Sequence, residues 1–140
     1  MSKGPDLINK GASVEYLNDI PGTPTPAPFF SQVVWAGDTA YLAGLIAIDP
    51  ATGKLVEGGL IAETERTIDN VEGVLAGAGL TLADVARITV YLTDIADAPK
   101  MNEIYARRIG RFRPAREMVA VSGLAFGAKI EMTVIAYRGR

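Results

Sequence analysis

The stretch that decides the fold is residues 112–138, FRPAREMVAVSGLAFGAKIEMTVIAYR. It contains two apolar runs, residues 118–121 and 130–137, joined by a loop with Gly123 and Gly127. Each run has the length of a β-strand and is rich in residues that favour a pleated sheet. This segment therefore predicts two strands at the end of the domain, and we expect them to be neighbours and mostly buried.

Each of these strands also carries one charge that suits a buried position poorly. Strand alternation places Arg116 on the same side as Met118 and Ala120, while Glu131 lies in a run that is otherwise apolar except for Thr133. Burying a lone charge is costly, so the two side chains need either each other or a ligand. By spacing alone, a salt bridge or a charged group that reaches solvent at a strand end fits as well as a ligand site.

The chain before this segment alternates between strand and helix patterns. We predict a short edge strand at 13–17, an extended proline-rich connector at 20–28, a hairpin formed by 29–35 and 39–48, a short strand at 54–56 and a further strand at 85–92.

Two helices are predicted from apolar residues at three- and four-residue steps. The first begins at Leu60 and ends at Gly77 and Gly79, and the second has Asp97 as its N-cap and stops at Gly110. In the first helix we expect Glu63, Glu65 and Glu72 in solvent and a buried stripe of Ile61, Thr64, Ile68, Val71, Leu75 and Ala78. In the second, the shared face consists of Met101, Ile104, Tyr105 and Ile109.

The element order β-β-α-β-α-β-β predicts an α+β fold in which two helices cover one face of a mixed sheet. The other sheet face stays apolar in this pattern, which predicts a partner subunit. A length of 140 residues fits a single domain. We expect an N-terminal arm at 1–28 followed by one domain at 29–140.

Composition excludes several kinds of site. The chain has no cysteine and no histidine, which removes thiolate nucleophiles, the usual general base and the commonest metal ligands. Catalysis would then rest on carboxylates, Arg, Lys, hydroxyls, backbone groups and water. The formal net charge of −2 gives no basic field for nucleic acid. The absence of a long apolar run or a signal-peptide pattern predicts a cytoplasmic protein with no membrane contact.

Several short motifs, each weak alone, occur in order along residues 29–138. They are Ser31-Gln32, Gly44, Asp49-Pro-Ala-Thr-Gly53, Glu65-Arg66-Thr67-x-x-Asn70, Val90-Tyr-Leu-Thr-Asp94, Asn102-Glu-Ile-Tyr105, Pro114-Ala-Arg116 and Ile130-Glu131. In this combination the chain resembles the Rid (YjgF) family of reactive-intermediate deaminases. The resemblance implies a chorismate-mutase-like fold, a homotrimer with clefts between subunits, and no cofactor or metal. It also implies hydrolysis of enamines and imines such as 2-aminoacrylate to 2-keto acids and ammonia.

The same resemblance assigns roles to individual residues. Arg116 matches the family's substrate-binding arginine, whose planar fork can hold a carboxylate with two hydrogen bonds. Glu131 matches the acid that orients or activates the attacking water. Gly44 is expected to let the backbone approach the substrate closely, and Asn102 matches a pocket amide.

Three positions depart from the family pattern, and each departure removes a polar group. Phe30 replaces a frequent tyrosine, Ala43 a frequent serine and Met118 a frequent cysteine. We therefore expect a more apolar cleft, with deaminase activity retained and the preference shifted toward a larger or less polar substrate.

Two other functions stay open on the sequence. One is a non-catalytic trimeric module in which Arg116 holds a small carboxylate such as a 2-keto acid, although Glu131 would repel an anion bound nearby. The other is RNA or protein interaction through a group of arginines at the end of the second helix. A solvated helix end is the simpler interpretation of that group, which consists of Arg107, Arg108, Arg111 and Arg113.

Overall fold

A computed structural model describes residues 6–9 and 14–139, with side chains from residue 14 onward. These residues form a seven-stranded sheet with the strand order β1-β2-β3-β4-β7-β5-β6. The strands are β1 Asp6–Asn9, β2 Val14–Asn18, β3 Val33–Ala36, β4 Thr39–Leu42, β5 Val85–Leu92, β6 Ala115–Ala120 and β7 Ile130–Tyr137, and the α-helices are α1 Gly59–Gly77 and α2 Ala98–Arg108. The buried faces of the helices and strands join in one hydrophobic core, so the predicted α+β fold is confirmed.

The order of the last three strands differs from the prediction. β5 lies between β6 and β7. The strands of Arg116 and Glu131 are therefore not neighbours, and the sequence-based expectation that they are neighbours was wrong. β5 and β6 run parallel, and α2 supplies the crossover that a parallel pair requires. β6 is also largely exposed rather than buried, because it forms an edge of the sheet in the single chain.

The N-terminal part of the chain belongs to the same sheet. β2 confirms the strand predicted at 13–17, but β1 pairs with its outer side, so β2 is not an edge strand. Because β1 has only four residues, its sequence is too short to show a clear period. The division into an arm at 1–28 and a domain at 29–140 stays a prediction.

The predicted hairpin exists, but both of its strands are shorter than expected. β3 begins at Val33, since Phe29 and Phe30 lie in a turn before it. β4 ends at Leu42, and the chain beyond it is held by single bridges from Leu45 to Met132 and from Ile48 to Leu55. The short strand predicted at 54–56 is therefore one bridge and not a strand.

A buried amide holds the irregular segment 43–48 against α1. Asn70 is 1% exposed, and its Nδ2 donates to the carbonyl oxygens of Ile46 at 3.0 Å and Ile48 at 2.9 Å. Its Oδ1 accepts a hydrogen bond from Arg66 Nε at 3.2 Å. These bonds satisfy backbone groups that no strand ladder reaches, so the segment can leave the β-structure without leaving the core.

A second buried amide fixes the proline-rich segment. Gln32 Oε1 accepts from the Ile20 N–H at 3.1 Å, and Gln32 Nε2 donates to Thr23 Oγ1 at 2.8 Å and to the Pro24 carbonyl at 3.3 Å. The side chains of Ile20 and Thr23 are buried as a result. The segment that we predicted as an extended connector is therefore partly buried.

α1 confirms the predicted helix, but its buried face is offset by one residue at the start. Leu60 is buried and Ile61 is 53% exposed, because Leu60 is in phase with the buried Thr64 and Ile68. Glu63, which we expected in solvent, is also buried, and its Oε1 accepts the backbone N–H of Lys129 at 2.8 Å. A buried acceptor thus ties α1 to the residue just before β7.

The C-terminal end of α1 and the N-terminal end of α2 lie where the sequence predicts them. Gly79 has a φ of 78°, and the N–H groups of Gly79 and Leu80 donate to the carbonyls of Ala76 and Leu75, which is the Schellman arrangement. Asp97 occupies the N-cap position of α2 as predicted, but its side chain makes no capping hydrogen bond. Neither helix has both the length and the hydropathy needed to cross a bilayer, within the part of the chain that the structure describes.

Acidic residues of α1 pair with arginines of α2. Arg108 contacts Glu65 at 2.9 Å, Asp69 at 2.7 Å and Glu72, and Arg107 also contacts Glu65. Burial opposes the charge on Arg108, but these carboxylates outweigh it and raise its pKa. Burial likewise opposes the charge on Glu65, yet the two arginines hold its pKa below the ordinary value. Arg107 and Arg108 are therefore neutralised by ion pairs rather than simply solvated.

The buried amide of α1 gives a test of this packing. We expect Asn70→Ala to lower the free energy of unfolding by about 3 kcal/mol, because it leaves two buried carbonyls without donors. Urea unfolding at one fixed protein concentration measures the change. Asp69→Ala, one residue earlier on the exposed side, is the matched control and is expected to cost no more than about 1 kcal/mol. Equal effects of the two substitutions would contradict the assigned role of Asn70.

Candidate functional site

Arg116 lies on the helix face of the sheet, at its β6 edge. It is in register with Ile88 of β5, which is fully buried beneath the helices. Its Nη1 donates to Asn102 Oδ1 at 2.7 Å, and its guanidinium carbon lies 4.8 Å from the centre of the Tyr105 ring. Asn102 and Tyr105 are one turn apart on α2, so this helix orients an exposed arginine through a charge-assisted hydrogen bond and a cation–π contact.

The sequence predicts Tyr105 as a core residue of the second helix, and the structure shows that its ring also contacts Arg116. Its side chain is 8% exposed, and its hydroxyl has no hydrogen-bond partner among the described residues. Burial raises the pKa of Tyr105, and the positive charge of Arg116 offsets this only in part. The phenol therefore stays protonated and retains an unused donor close to the guanidinium. Met118, two residues after Arg116, packs partly against the core.

Glu131 lies on the opposite face of the sheet. It alternates along β7 with Ile130 and Met132, which are fully buried on the helix side. No residue in the described ranges gives its carboxylate a hydrogen bond or an ion pair. Burial raises the pKa of Glu131 above its ordinary value. A half-buried carboxylate without a partner is suited to exchanging a proton with a bound water or ligand.

The lack of a side chain at Gly44 makes room for the Glu131 carboxylate. The bridge between Leu45 and Met132, with N–O distances of 2.8 and 2.9 Å, brings residue 44 against Glu131. A Cβ at position 44 would overlap Glu131 Oε2 and lie 3.0 Å from Cδ. The sequence-based expectation was that Gly44 gives room to a substrate. The structure shows that the room is filled by the carboxylate of Glu131.

A cavity of about 440 Å³ opens beside Glu131. Glu131 is the only charged residue among the described residues that line it, and most of the others are apolar. The sequence-predicted residues in this lining are Phe30, Ala43, Gly44 and Glu131. The remaining walls come from the proline-rich segment, from Leu45, Ile46 and Ile48, and from Phe29, Ala125 and Phe126.

Arg116 and Glu131 cannot contact one small molecule within a single chain. They project from opposite faces of the sheet and lie two strands apart, which alone is roughly 10 Å. Glu131 is in register with Tyr91 and Arg116 with Ile88, so an offset of three residues along β5 is added. The salt bridge that the spacing allowed is therefore absent between these two side chains.

The predicted site residues thus form two groups rather than one. Arg116, Asn102 and Met118 lie around the β6 edge, and Phe30, Ala43, Gly44 and Glu131 lie around the cavity. Sequence reasoning missed Tyr105, Phe29 and Phe126 as members of these groups. The available signals were the one-turn spacing from Asn102 to Tyr105 and two phenylalanines in proline- or glycine-containing loops. In the described part of the chain, no three His, Cys, Asp or Glu side chains are grouped so as to hold a metal ion.

The comparisons with known proteins agree with this fold. Residues 22–138 match the family model described as Endoribonuclease L-PSP. A RutC family protein from Pyrococcus abyssi is 44% identical over 115 residues, which cover 82% of this chain and 91% of the relative. The 2-iminobutanoate/2-iminopropanoate deaminase of Homo sapiens is 36% identical over 110 residues, which cover 79% of this chain and 80% of the relative.

A solved structure also superposes closely. The Rid family protein YyfA from Yersinia pestis, a protein of unknown function, has a TM-score of 0.80 and 35% sequence identity. The superposition covers 84% of this chain and 94% of that chain. The family model, which matches residues 22–138, spans both groups of site residues.

The contact between residues 44 and 131 can be tested by a double-mutant cycle. We expect Gly44→Ala to destabilise the protein by about 1–3 kcal/mol, because the new methyl group overlaps the Glu131 carboxylate. Glu131→Ala in the same chain should recover most of that loss in urea unfolding. Glu131→Gln is the matched control, since the amide has the same size and should give no recovery. Recovery by both variants, or by neither, would show that the overlap is not the cause.

Proposed function

Because the chain belongs to the Rid (YjgF) family, we propose that it hydrolyses 2-imino acids, and enamines that tautomerise to them, to 2-keto acids and ammonia. The observation that carries the proposal is the Glu131 carboxylate, which is half-buried, unpaired among the described residues and next to a cavity. The name of the human relative, 2-iminobutanoate/2-iminopropanoate deaminase, supports the same reaction.

The proposed active site is formed by two copies of the chain. Arg116 and Glu131 lie on opposite faces of one sheet. A substrate that contacts both must therefore lie between the arginine group of one copy, by which we mean Arg116 with Asn102, Tyr105 and Met118, and the cavity of another copy. Two different patches that meet in this way generate a ring when the rotation between copies closes, and the family resemblance favours a ring of three subunits. The sheet face around Glu131 offers partly exposed apolar side chains for such contacts, among them Val34, Tyr41, Tyr91 and Ile135. Thr89 and Thr133 make this face more mixed than the sequence pattern indicated.

Arg116 is the proposed anchor for the substrate carboxylate. Asn102 accepts from Nη1, and the stacking on Tyr105 fixes the plane of the guanidinium. Among the described residues, the other N–H groups of Arg116 have no hydrogen-bond acceptor, so they can form charge-assisted hydrogen bonds with a ligand. Each such bond contributes about 1.5–3 kcal/mol. This anchor would hold C2 of the imino acid at a fixed distance from the neighbouring copy's cavity.

Glu131 is the proposed general base and general acid of the reaction. Water attacks C2 as Glu131 takes one of its protons, and the electron pair of the C=N bond moves to nitrogen, which receives that proton back. In the carbinolamine, the hydroxyl proton passes to nitrogen, the C–N bond breaks, ammonia leaves and the remaining oxygen becomes the carbonyl. One water is consumed for each ammonia released. Burial raises the pKa of Glu131, and a carboxylate with a raised pKa accepts a proton more readily than an ordinary one and can pass it on to nitrogen.

The geometry favours this reaction over the two other functions considered. A binder of 2-keto acids gains nothing from an unpaired carboxylate near its anionic ligand. For RNA, acidic residues of α1 already pair with Arg107 and Arg108, two of the four arginines on which that function would depend. Hydrolysis uses both a cation and a nearby acid, so it accounts for both groups of residues.

Coupled imine hydrolysis tests the proposal. An amino-acid oxidase generates 2-imino acids in the assay, and ammonia and 2-keto acid are measured against the spontaneous rate. We expect the wild type to accelerate release, and Arg116→Ala to lower kcat/KM by roughly a hundredfold, which is about 2.7 kcal/mol of transition-state stabilisation. Glu131→Gln should mainly lower kcat, because the amide cannot take a proton.

Arg111→Ala is the matched control for the arginine, since Arg111 stacks on Phe112 and makes no contact with either group of site residues in the described chain. It should leave kcat/KM within roughly twofold of wild type. No acceleration of any imine by the wild type would overturn the proposed reaction. Binding of 2-keto acids through Arg116 in that inactive protein would instead identify a carboxylate binder.

A further inference from the structure

The cavity beside Glu131 is larger than a small imino acid requires. Its volume of about 440 Å³ lies within the range of sites that enclose drug-sized ligands. Apart from Glu131, its described lining offers few polar groups, and Ala43, Leu45, Ile46 and Ile48 contribute apolar side chains to it. A substrate held at its carboxylate and at C2 would therefore place its side chain in an apolar space.

Three phenylalanines border the same cavity and are poorly covered by the rest of the chain. Phe29 is 85% exposed, Phe126 81% and Phe30 44%. The rings of Phe29 and Phe30 are in edge contact, with centroids 5.7 Å apart and an interplanar angle of 68°. Exposing apolar rings to water is unfavourable, so they are available to an apolar ligand group.

Phe126 is held on the cavity wall by a strained backbone. It lies in the short turn Ala125–Gly127 and has φ 60° and ψ 18°, the left-handed region that residues with a side chain seldom adopt. Gly or Asn would occupy this position at lower cost. An exposed ring on a strained backbone, beside a carboxylate that no described residue pairs with, points to ligand contact.

We propose that the cavity selects 2-imino acids with apolar, above all aromatic, side chains, and that Phe126 is a specificity-determining residue. This inference rests on the proposed function and names its substrate class. The substrate carboxylate binds Arg116 of one copy, C2 lies near Glu131 of the other, and the side chain packs between Phe126 and the Phe29–Phe30 pair. An apolar group in such a pocket gives discrimination of roughly ten- to a hundredfold in kcat/KM.

The test compares two imines that differ only in their side chain, one large and aromatic and one small and aliphatic. An amino-acid oxidase produces one imine with a benzyl group and one with an ethyl group, and hydrolysis of each is measured for the wild type and for Phe126→Asn. Asn removes the ring and tolerates the left-handed backbone. We expect the wild type to prefer the benzyl imine by at least roughly tenfold in kcat/KM, and Phe126→Asn to lose most of that preference.

Phe112→Leu is the matched control, because Phe112 is an aromatic residue that packs against the core away from the cavity. It should leave the benzyl-to-ethyl ratio unchanged. A wild type that prefers the ethyl imine, or a ratio unaffected by Phe126→Asn, would overturn the inference while the proposed function stands. Sedimentation of the same variants measures their oligomeric state. If the Phe126→Asn oligomer dissociates while the benzyl-to-ethyl ratio is unchanged, the ring belongs to a subunit contact and not to the substrate pocket. A wild type inactive on both imines would instead overturn the proposed function itself.

Discussion

The two-residue period of the β-strands is the constraint on which the site depends. On β6 it turns Arg116 toward the helices, and on β7 it turns Glu131 away from them. With β5 between the two strands, the cation and the acid cannot neutralise each other inside one chain. Each charge is instead supported locally, the arginine by Asn102 and Tyr105 and the carboxylate by the space that Gly44 leaves. The fold thus keeps both charges available for a ligand.

The two groups of residues differ in physical character, and together they describe one kind of ligand. The arginine group is exposed and positively charged, and its geometry suits a carboxylate. The cavity is apolar and aromatic, and its low polarity both raises the pKa of Glu131 and favours an apolar side chain. A 2-imino acid with an apolar substituent meets both demands. Asn70 and Gln32 matter to this arrangement because they fix the irregular segments that form the cavity wall.

The spacing of apolar residues along the chain predicted the individual helices and strands, because their burial pattern depends on that spacing. The helices α1 and α2 and the strands β5 and β7 follow from apolar spacing, and the motifs around Arg116 and Glu131 indicated the candidate site residues. Strand order was not predictable in this way, because nothing in residues 115–120 shows that they pair with β5 and not with β7. Glu63 was misplaced for a similar reason, since the backbone N–H that it accepts lies 66 residues away. The position of Phe126 depends on a left-handed backbone that its own sequence disfavours.

The most direct test of the central claim, that the active site is shared between copies, is subunit complementation. Arg116→Ala and Glu131→Gln chains with different affinity tags are co-expressed, and oligomers that carry both tags are purified and assayed for imine hydrolysis. If the site is shared and the oligomer is the proposed trimer, each mixed oligomer regains one intact site, and activity returns to roughly a third of wild type. Doubly tagged oligomers of either variant alone should stay inactive. Mixed oligomers as inactive as those controls would show that Arg116 and Glu131 do not act across a subunit boundary.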